Sequence, residues 1–202
     1  FDHRLCAISL TNQKNTLLCA FDNFFSFYDL KNHIIKKLDK QVTLPSKVRF
    51  NDGKTDGYGR FWCGSMSESN PSKPGGAIYM LDRKQEIHEV IKGIHISNSI
   101  TASFDNKNLY YADTYKKLIY KTSLYKNKPY IKNANIFVDN SNVSGFPDGS
   151  TVDSNNTLWN AEWNGGQVAQ YDNNGKIISK IKTKIKKPTC VAFGGPNMNK
   201  LF

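Results

Sequence analysis

The chain is expected to be all-β, built as successive four-stranded blades of a β-propeller. Three observations lead there. First, a polar turn followed by a leucine or aromatic pair and a small residue recurs along the sequence. It is seen at Asn15-Thr16-Leu17-Leu18-Cys19-Ala20, Gly59-Arg60-Phe61-Trp62-Cys63-Gly64, Lys107-Asn108-Leu109-Tyr110-Tyr111-Ala112 and Asn156-Thr157-Leu158-Trp159-Asn160-Ala161, and a fifth copy opens at Asn199-Lys200-Leu201-Phe202. Second, the steps from Leu18 to Trp62, Tyr110, Trp159 and Phe202 are 44, 48, 49 and 43 residues, the length of one four-stranded blade. Third, strand signals fill each period and no segment sustains helical periodicity.

The elements follow in order. Between Trp62 and Tyr110, Ala77 to Leu81 alternates and stops at Asp82, Glu86 to Ile91 forms the next strand, and Ser97 to Ser103 leads into the following repeat. Later strands are expected at Lys117 to Leu124, Ile136 to Val138, Gln167 to Asp172 and Ile177 to Lys182. Turns fall at residues 105–108, 154–156 and 172–175, which are rich in Asp, Asn and Gly. Those residues tolerate left-handed backbone or bond to their own main chain. About four blades and the start of another are expected, in one partial propeller domain over 1–202 with both ends inside the repeat. Closure joins first and last blades, so a four-blade arc alone would leave open edges.

Composition bounds the partners. Of 202 residues, 39% are hydrophobic, including 12 Phe, 10 Tyr and 3 Trp, which supports a sizeable core. No apolar run approaches the roughly 18 residues that a membrane-spanning helix requires, so no membrane partner is expected. The chain starts at Phe1, and no signal peptide is visible. The net charge of +11 invites a nucleic-acid reading, but the lysines are mostly scattered. The densest run, Lys180 to Lys187, places lysine on alternate positions, as a solvated outer strand does. No nucleic-acid partner is therefore expected. Cys6, Cys19, Cys63 and Cys190 lie far apart without metal-cluster spacing, and three sit in apolar segments, where free cysteine behaves as a small hydrophobe. A reducing compartment, the cytoplasm, is the preference.

A second register bears on function. One polar residue precedes each Leu/aromatic pair at a similar offset: Asn51 or Asp52 before Trp62, Asn98 before Tyr110, Asp148 before Trp159 and Thr189 before Phe202. Equivalent positions on successive blades converge on a propeller's channel, where they form a ring of oxygen donors. Such donors, without nearby His or Cys, suit a hard divalent cation. Asn-Ser and Asp-Gly are also common turn formers, and spacing does not decide between turn and ligand. The four histidines are isolated, and nucleophile-elbow, phosphate-loop and His-Glu-x-x-His motifs are absent.

At these same residues the chain resembles the gluconolactonase/regucalcin (senescence-marker) family. The matching phrases are Arg49-Phe50-Asn51-Asp52-Gly53-Lys54 leading to Gly59 through Met66, Ile96-Ser97-Asn98-Ser99-Ile100, Phe146-Pro147-Asp148-Gly149 through Asp153, Leu158 through Gly166, and Lys187-Pro188-Thr189 through Gly195. Together they cover nearly the whole chain. The resemblance implies a six-bladed propeller holding one divalent cation (Ca, Mg, Mn, Zn or Fe) and hydrolysing a sugar lactone. It further implies that Asn98 and Asp148 are metal ligands, that Asp148 is also the general base, and that Arg49 and Asn51 bind the lactone's oxygens. Three positions depart from the family: its early-strand glutamate ligand has no counterpart here, Ser99 stands where glycine commonly follows the asparagine, and Ser72 falls near a substrate-binding glutamate of some animal members. The alternative is a non-enzymatic calcium-binding propeller of the regucalcin kind. The oligomeric state is not readable.

Overall fold

A computed structural model describes residues 1–128, 131 and 133–202. Among them are strands, turns and no helix, hence no helix long and apolar enough to cross a membrane. The chain folds into two compact units, Phe1–Ser97 and Asn98–Phe202. The first holds two antiparallel sheets, each in simple sequence order. One is β1 (Leu5–Leu10), β2 (Thr16–Phe21), β3 (Phe25–Asp29) and β4 (Ile34–Lys37). The other is β5 (Val48–Thr55), β6 (Phe61–Ser67), β7 (Gly76–Leu81) and β8 (Ile87–Ile94). The division falls just inside β9 (Ser97–Ala102), which pairs with β10 (Asn108–Asp113), β11 (Leu118–Ser123) and β12 (Asn135–Asp139). A fourth sheet follows: β13 (Phe146–Val152), β14 (Leu158–Trp163), β15 (Gln167–Tyr171) and β16 (Ile177–Lys182). Finally β17 (Phe193–Gly194) pairs with β18 (Lys200–Leu201). The all-β class and the four-stranded blade meanders are those the repeat predicted.

Each copy of the repeated motif lands on the second strand of its sheet: β2, β6, β10, β14 and, for the fifth, β18. That position explains why the motif reads as a continuous apolar run. In β6, Phe61 and Cys63 enter a core with Ala20, Phe25, Phe50, Ala77, Tyr79 and Leu81, while Trp62 is 1% exposed on the opposite face. A strand covered on both faces has no solvent side to mark with polar residues. In the second unit, Tyr110, Ala112, Ile119, Leu158, Ala169 and Tyr171 form the corresponding core between two sheets. Burial of large aromatic side chains such as Phe50 and Tyr171 contributes about 1.5–3 kcal/mol each.

The polar half of the motif has its own mechanism. Three hairpins are tied by an aspartate whose Oδ1 accepts main-chain N–H groups two and four residues on, and whose Oδ2 takes a side-chain donor six residues on. Asp56 receives Tyr58 N, Arg60 N and Trp62 Nε1. Asp82 receives Lys84 N, Glu86 N and His88 Nε2. Asp153 receives Asn155 N, Thr157 N and Trp159 Nε1. The aspartate thus closes the turn and fixes the ring that begins the next strand's packing.

One expectation is corrected. The lysine run from Lys180 to Lys187 is not a continuous outer strand: β16 ends at Lys182. The run is solvated as expected, with Ile181 and Ile185 themselves 44% and 61% exposed. β16 is the last strand of its sheet, and five of its six residues are exposed.

Candidate functional site

The candidate residues fall on the first, edge strand of successive sheets: Arg49 and Asn51 on β5, Asn98 on β9 and Asp148 on β13. Two of them occupy the same irregularity. On β5 the pairing passes from Phe50↔Ser65 to Gly53↔Cys63, three residues against two, so Asn51 and Asp52 form a β-bulge. On β13 it passes from Pro147↔Glu162 to Ser150↔Asn160, which puts Asp148 and Gly149 in an equivalent bulge. A bulge re-aims the side chain it carries and is over-represented beside active sites. Close backbone approach requires glycine at Gly53, just after the first bulge, and at Gly149, within the second. A Cβ on Gly53 would lie 2.6 Å from the Trp62 carbonyl oxygen, and one on Gly149 would lie 2.8 Å from that of Thr189. Gly149 N also donates to Thr189 O at 2.8 Å.

In the first unit the Arg49 guanidinium is held at three points. Its Nη1 donates to Phe50 O at 2.7 Å and to Asn51 Oδ1 at 2.8 Å, and its Nε donates to Glu68 Oε1 at 3.0 Å. Asn51 in turn donates its Nδ2 to Ser97 O at 3.0 Å. Arg4 Nη1 donates to the same Glu68 oxygen at 2.5 Å. The hydrogen bond from Arg4, joined by that from Arg49 and opposed by burial, holds the Glu68 carboxyl below its ordinary value. Ser72 is elsewhere engaged, donating to Asn70 Oδ1 at 2.6 Å. A cleft of about 550 Å³ in this unit, lined by Ser9, Thr55, Tyr58 and Arg83 among others, lies toward the far end of β5 from Arg49 and includes none of the candidates.

In the second unit two bridges run from β9 to β13. Asn98, only 5% exposed, donates Nδ2 to Thr114 Oγ1 at 2.9 Å, and Thr114 Oγ1 donates onward to Pro147 O at 2.7 Å. One residue along, Ser99 Oγ donates to Asp148 O at 2.5 Å. Asn160 Nδ2 reaches the same carbonyl at 2.9 Å, along with Ser99 Oγ and Ser150 Oγ. Thr189, the fourth member of the sequence register, lies outside the strands and contributes its carbonyl to Gly149.

The fit of this pair to a cation follows from donor chemistry. Thr114 fixes the amide nitrogen of Asn98, which orients the attached carbonyl oxygen as a hard donor. Asp148 adds a carboxylate, and oxygen donors of this kind suit Ca²⁺, Mg²⁺ or Mn²⁺. Among the described residues no three His, Cys, Asp or Glu side chains gather as a metal site.

Sequence reasoning missed Arg4, Glu68, Thr114, Ser150 and Asn160. Asn160 carried a signal: it is a polar residue inside the apolar run Leu158-Trp159-Asn160-Ala161 and is 0% exposed. Its partners Asp148 and Ser150 lie across the hairpin on β13, and Ser99 is 61 residues away.

A propeller-blade fold with oxygen donors on equivalent edge strands defines a class of protein, and the comparisons narrow it to a family. The family model for the SMP-30/Gluconolactonase/LRE-like region matches residues 1–202, and the chain belongs to that family. An uncharacterized protein of Sulfolobus acidocaldarius is 37% identical over 203 residues, covering 100% of this chain and 73% of its own length. Pentonolactonase XacC of Haloferax volcanii is 32% identical over 159 residues, covering 79% of this chain and 54% of its own. Among solved structures, the calcium-binding protein regucalcin of Agrobacterium tumefaciens superimposes with a TM-score of 0.85 at 28% identity. That match covers 98% of this chain and 65% of regucalcin. The chain therefore spans between about half and three quarters of the length of these proteins.

Proposed function

We propose that the protein is a divalent-metal-dependent hydrolase that opens the ester ring of a sugar lactone. The observation that carries this reading is the double bridge holding Asn98 and Asp148 on neighbouring edge strands. It ties the Asn98 amide and the main chain at Asp148 together, and these two residues offer one neutral and one charged oxygen ligand. The similarity to a pentonolactonase supports the substrate class.

Asn98 and Asp148 would hold the cation, which when bound would supply Lewis-acid polarisation of the lactone carbonyl. The Asp148 carboxylate accepts the proton of the attacking water as general base. Arg49 and Asn51 bind the substrate's hydroxyl and carbonyl oxygens. The guanidinium suits this because its donors are already oriented by Phe50 O, Asn51 Oδ1 and Glu68, so little rotamer entropy is lost on binding. Four free thiols support a reducing, cytoplasmic setting.

The experiment is proton release from D-glucono-1,5-lactone and from pentonolactones by the full-length protein, with chelator and after metal add-back. Metal-restored hydrolysis is the expected result. One observation favours a second reading, a calcium-binding protein without turnover: the similar crystal structure is of a protein described as calcium-binding. Tight cation binding with no ring opening on any lactone would establish that reading instead.

A further inference from the structure

Ser99 is a non-glycine residue in left-handed backbone, with φ at 55°. Outside glycine, and to a lesser degree Asn or Asp, that conformation is uncommon and costs free energy. The residue is 0% exposed, so no solvent contact explains a serine there. Its hydroxyl is instead the centre of a buried network. It donates to Asp148 O at 2.5 Å, and accepts from Ser150 Oγ at 3.0 Å and Asn160 Nδ2 at 2.9 Å. Asn160 Oδ1, at the other end of that amide, is buried without a hydrogen-bond partner. Two unfavourable features, a left-handed serine and an unpaired buried oxygen, are thus maintained around one contact, and such features persist only where the surroundings over-determine them.

We infer that Ser99 is a positioning residue, whose hydroxyl clamps the main chain of the β13 bulge and so sets where Asp148 stands relative to Asn98. The left-handed turn at Ser99 aims Oγ across to β13, and the bulge presents the Asp148 carbonyl to receive it. Asn98 is the adjacent residue and is tied to Pro147, adjacent to Asp148, through Thr114. The two clamps act on consecutive residues of both strands, which removes sliding and rotation together. The role in catalysis rests on the lactonase reading, whereas the role in holding the bulge does not.

Two variants of the full-length protein separate hydroxyl from backbone. Ser99→Gly deletes the hydroxyl and relieves the left-handed conformation; Ser99→Ala deletes the hydroxyl alone. Amide hydrogen exchange over residues 146–152, read without metal, is expected to quicken at least tenfold in both variants. Divalent-cation affinity, titrated with Ca²⁺ or Mn²⁺ calorimetrically, is expected to weaken about tenfold, with kcat reduced more than KM rises. A merely structural serine predicts the reverse for Ser99→Gly: strain relief, unchanged exchange in the bulge and unchanged affinity. That result overturns the proposal. If the wild type binds no cation and opens no lactone while bulge exchange still quickens in both variants, the clamp stands and the lactonase reading falls.

Discussion

Asn98 donates its side-chain amide to Thr114 Oγ1 at 2.9 Å, and the same hydroxyl donates to Pro147 O at 2.7 Å. A single threonine therefore couples a candidate ligand on β9 to the bulge that carries Asp148 on β13. Valine preserves the shape of Thr114 but can neither accept nor donate. Thr114→Val strips a hydrogen-bond partner from Asn98 Nδ2 and from Pro147 O in a buried setting, where each loss costs about 1–3 kcal/mol. Chemical denaturation should show a stability loss of about 2 kcal/mol or more. Cation affinity should fall as well, because the Asn98 amide loses the contact that orients it. Thr114→Ser, which keeps the hydroxyl, should restore most of the affinity.

Asp148→Asn replaces the proposed base with an amide of nearly the same shape. The main-chain contacts of Asp148 with Ser99 and Asn160 do not involve its side chain and should survive. Lactone opening should drop by at least a thousandfold while thermal unfolding stays close to wild type. Turnover near the wild-type rate would remove Asp148 from the mechanism.

Arg49 poses a different question, because its guanidinium is also bonded to Glu68 and to Asn51. Arg49→Ala removes a proposed substrate contact and should leave kcat less affected than KM, which should rise about tenfold or more. Arg49→Lys keeps the charge but loses the fork, so it should rescue little. Full rescue by lysine would mean that charge alone matters.

The fold was legible in the sequence because its repeat has a physical cause: a second strand buried on both faces, preceded in β6 and β14 by an aspartate-tied turn. The ends of β15 and β16 fall within one residue of expectation, since Asp and Asn mark the turn between them, whereas β8 runs three residues past the expected Ile91. The candidate site could be read from the sequence as residues but not as geometry. Asn51-Asp52-Gly53 and Asp148-Gly149 read equally as turn formers, and in the structure they are bulges within strands. That distinction depends on the partner strand, which no local pattern contains. Ser99 likewise gave no sign that its hydroxyl would meet Asp148, 49 residues away. The lysine run departs from its reading only beyond Lys182, where the strand ends although the alternation continues.

Asp153 carries a pH prediction. Burial raises its carboxyl, but hydrogen bonds from Thr157 and Trp159 and from the main-chain N–H groups of Thr157 and Asn155 outweigh that, leaving the folded-state value below the ordinary 3.8. A depressed folded value means that the ionised carboxylate stabilises the fold above the unfolded value. The contribution disappears as pH falls through the folded one. Asp153→Asn should therefore unfold more easily than wild type near neutral pH, and the gap should narrow below about pH 3.8. A gap independent of pH between 7 and 3 would refute the assignment.

Asp56 should be the costliest of the turn aspartates to remove. Its side chain is 0% exposed, and it pairs with Arg60, whose side chain is 6% exposed, at 2.7 Å. It also accepts Trp62 Nε1 at 2.8 Å. Deleting the carboxylate leaves a buried guanidinium without its counter-charge, and breaking such a pair costs about 3–5 kcal/mol. Asp153, the equivalent in the second unit, accepts only neutral donors, so Asp153→Ala should cost less, about 1–3 kcal/mol. If charge burial sets the difference, then the double variant Asp56→Ala with Arg60→Leu should recover part of the loss, since no buried charge remains. Equal losses for Asp56→Ala alone and for the pair would show instead that the turn bonds, not the ion pair, hold this hairpin.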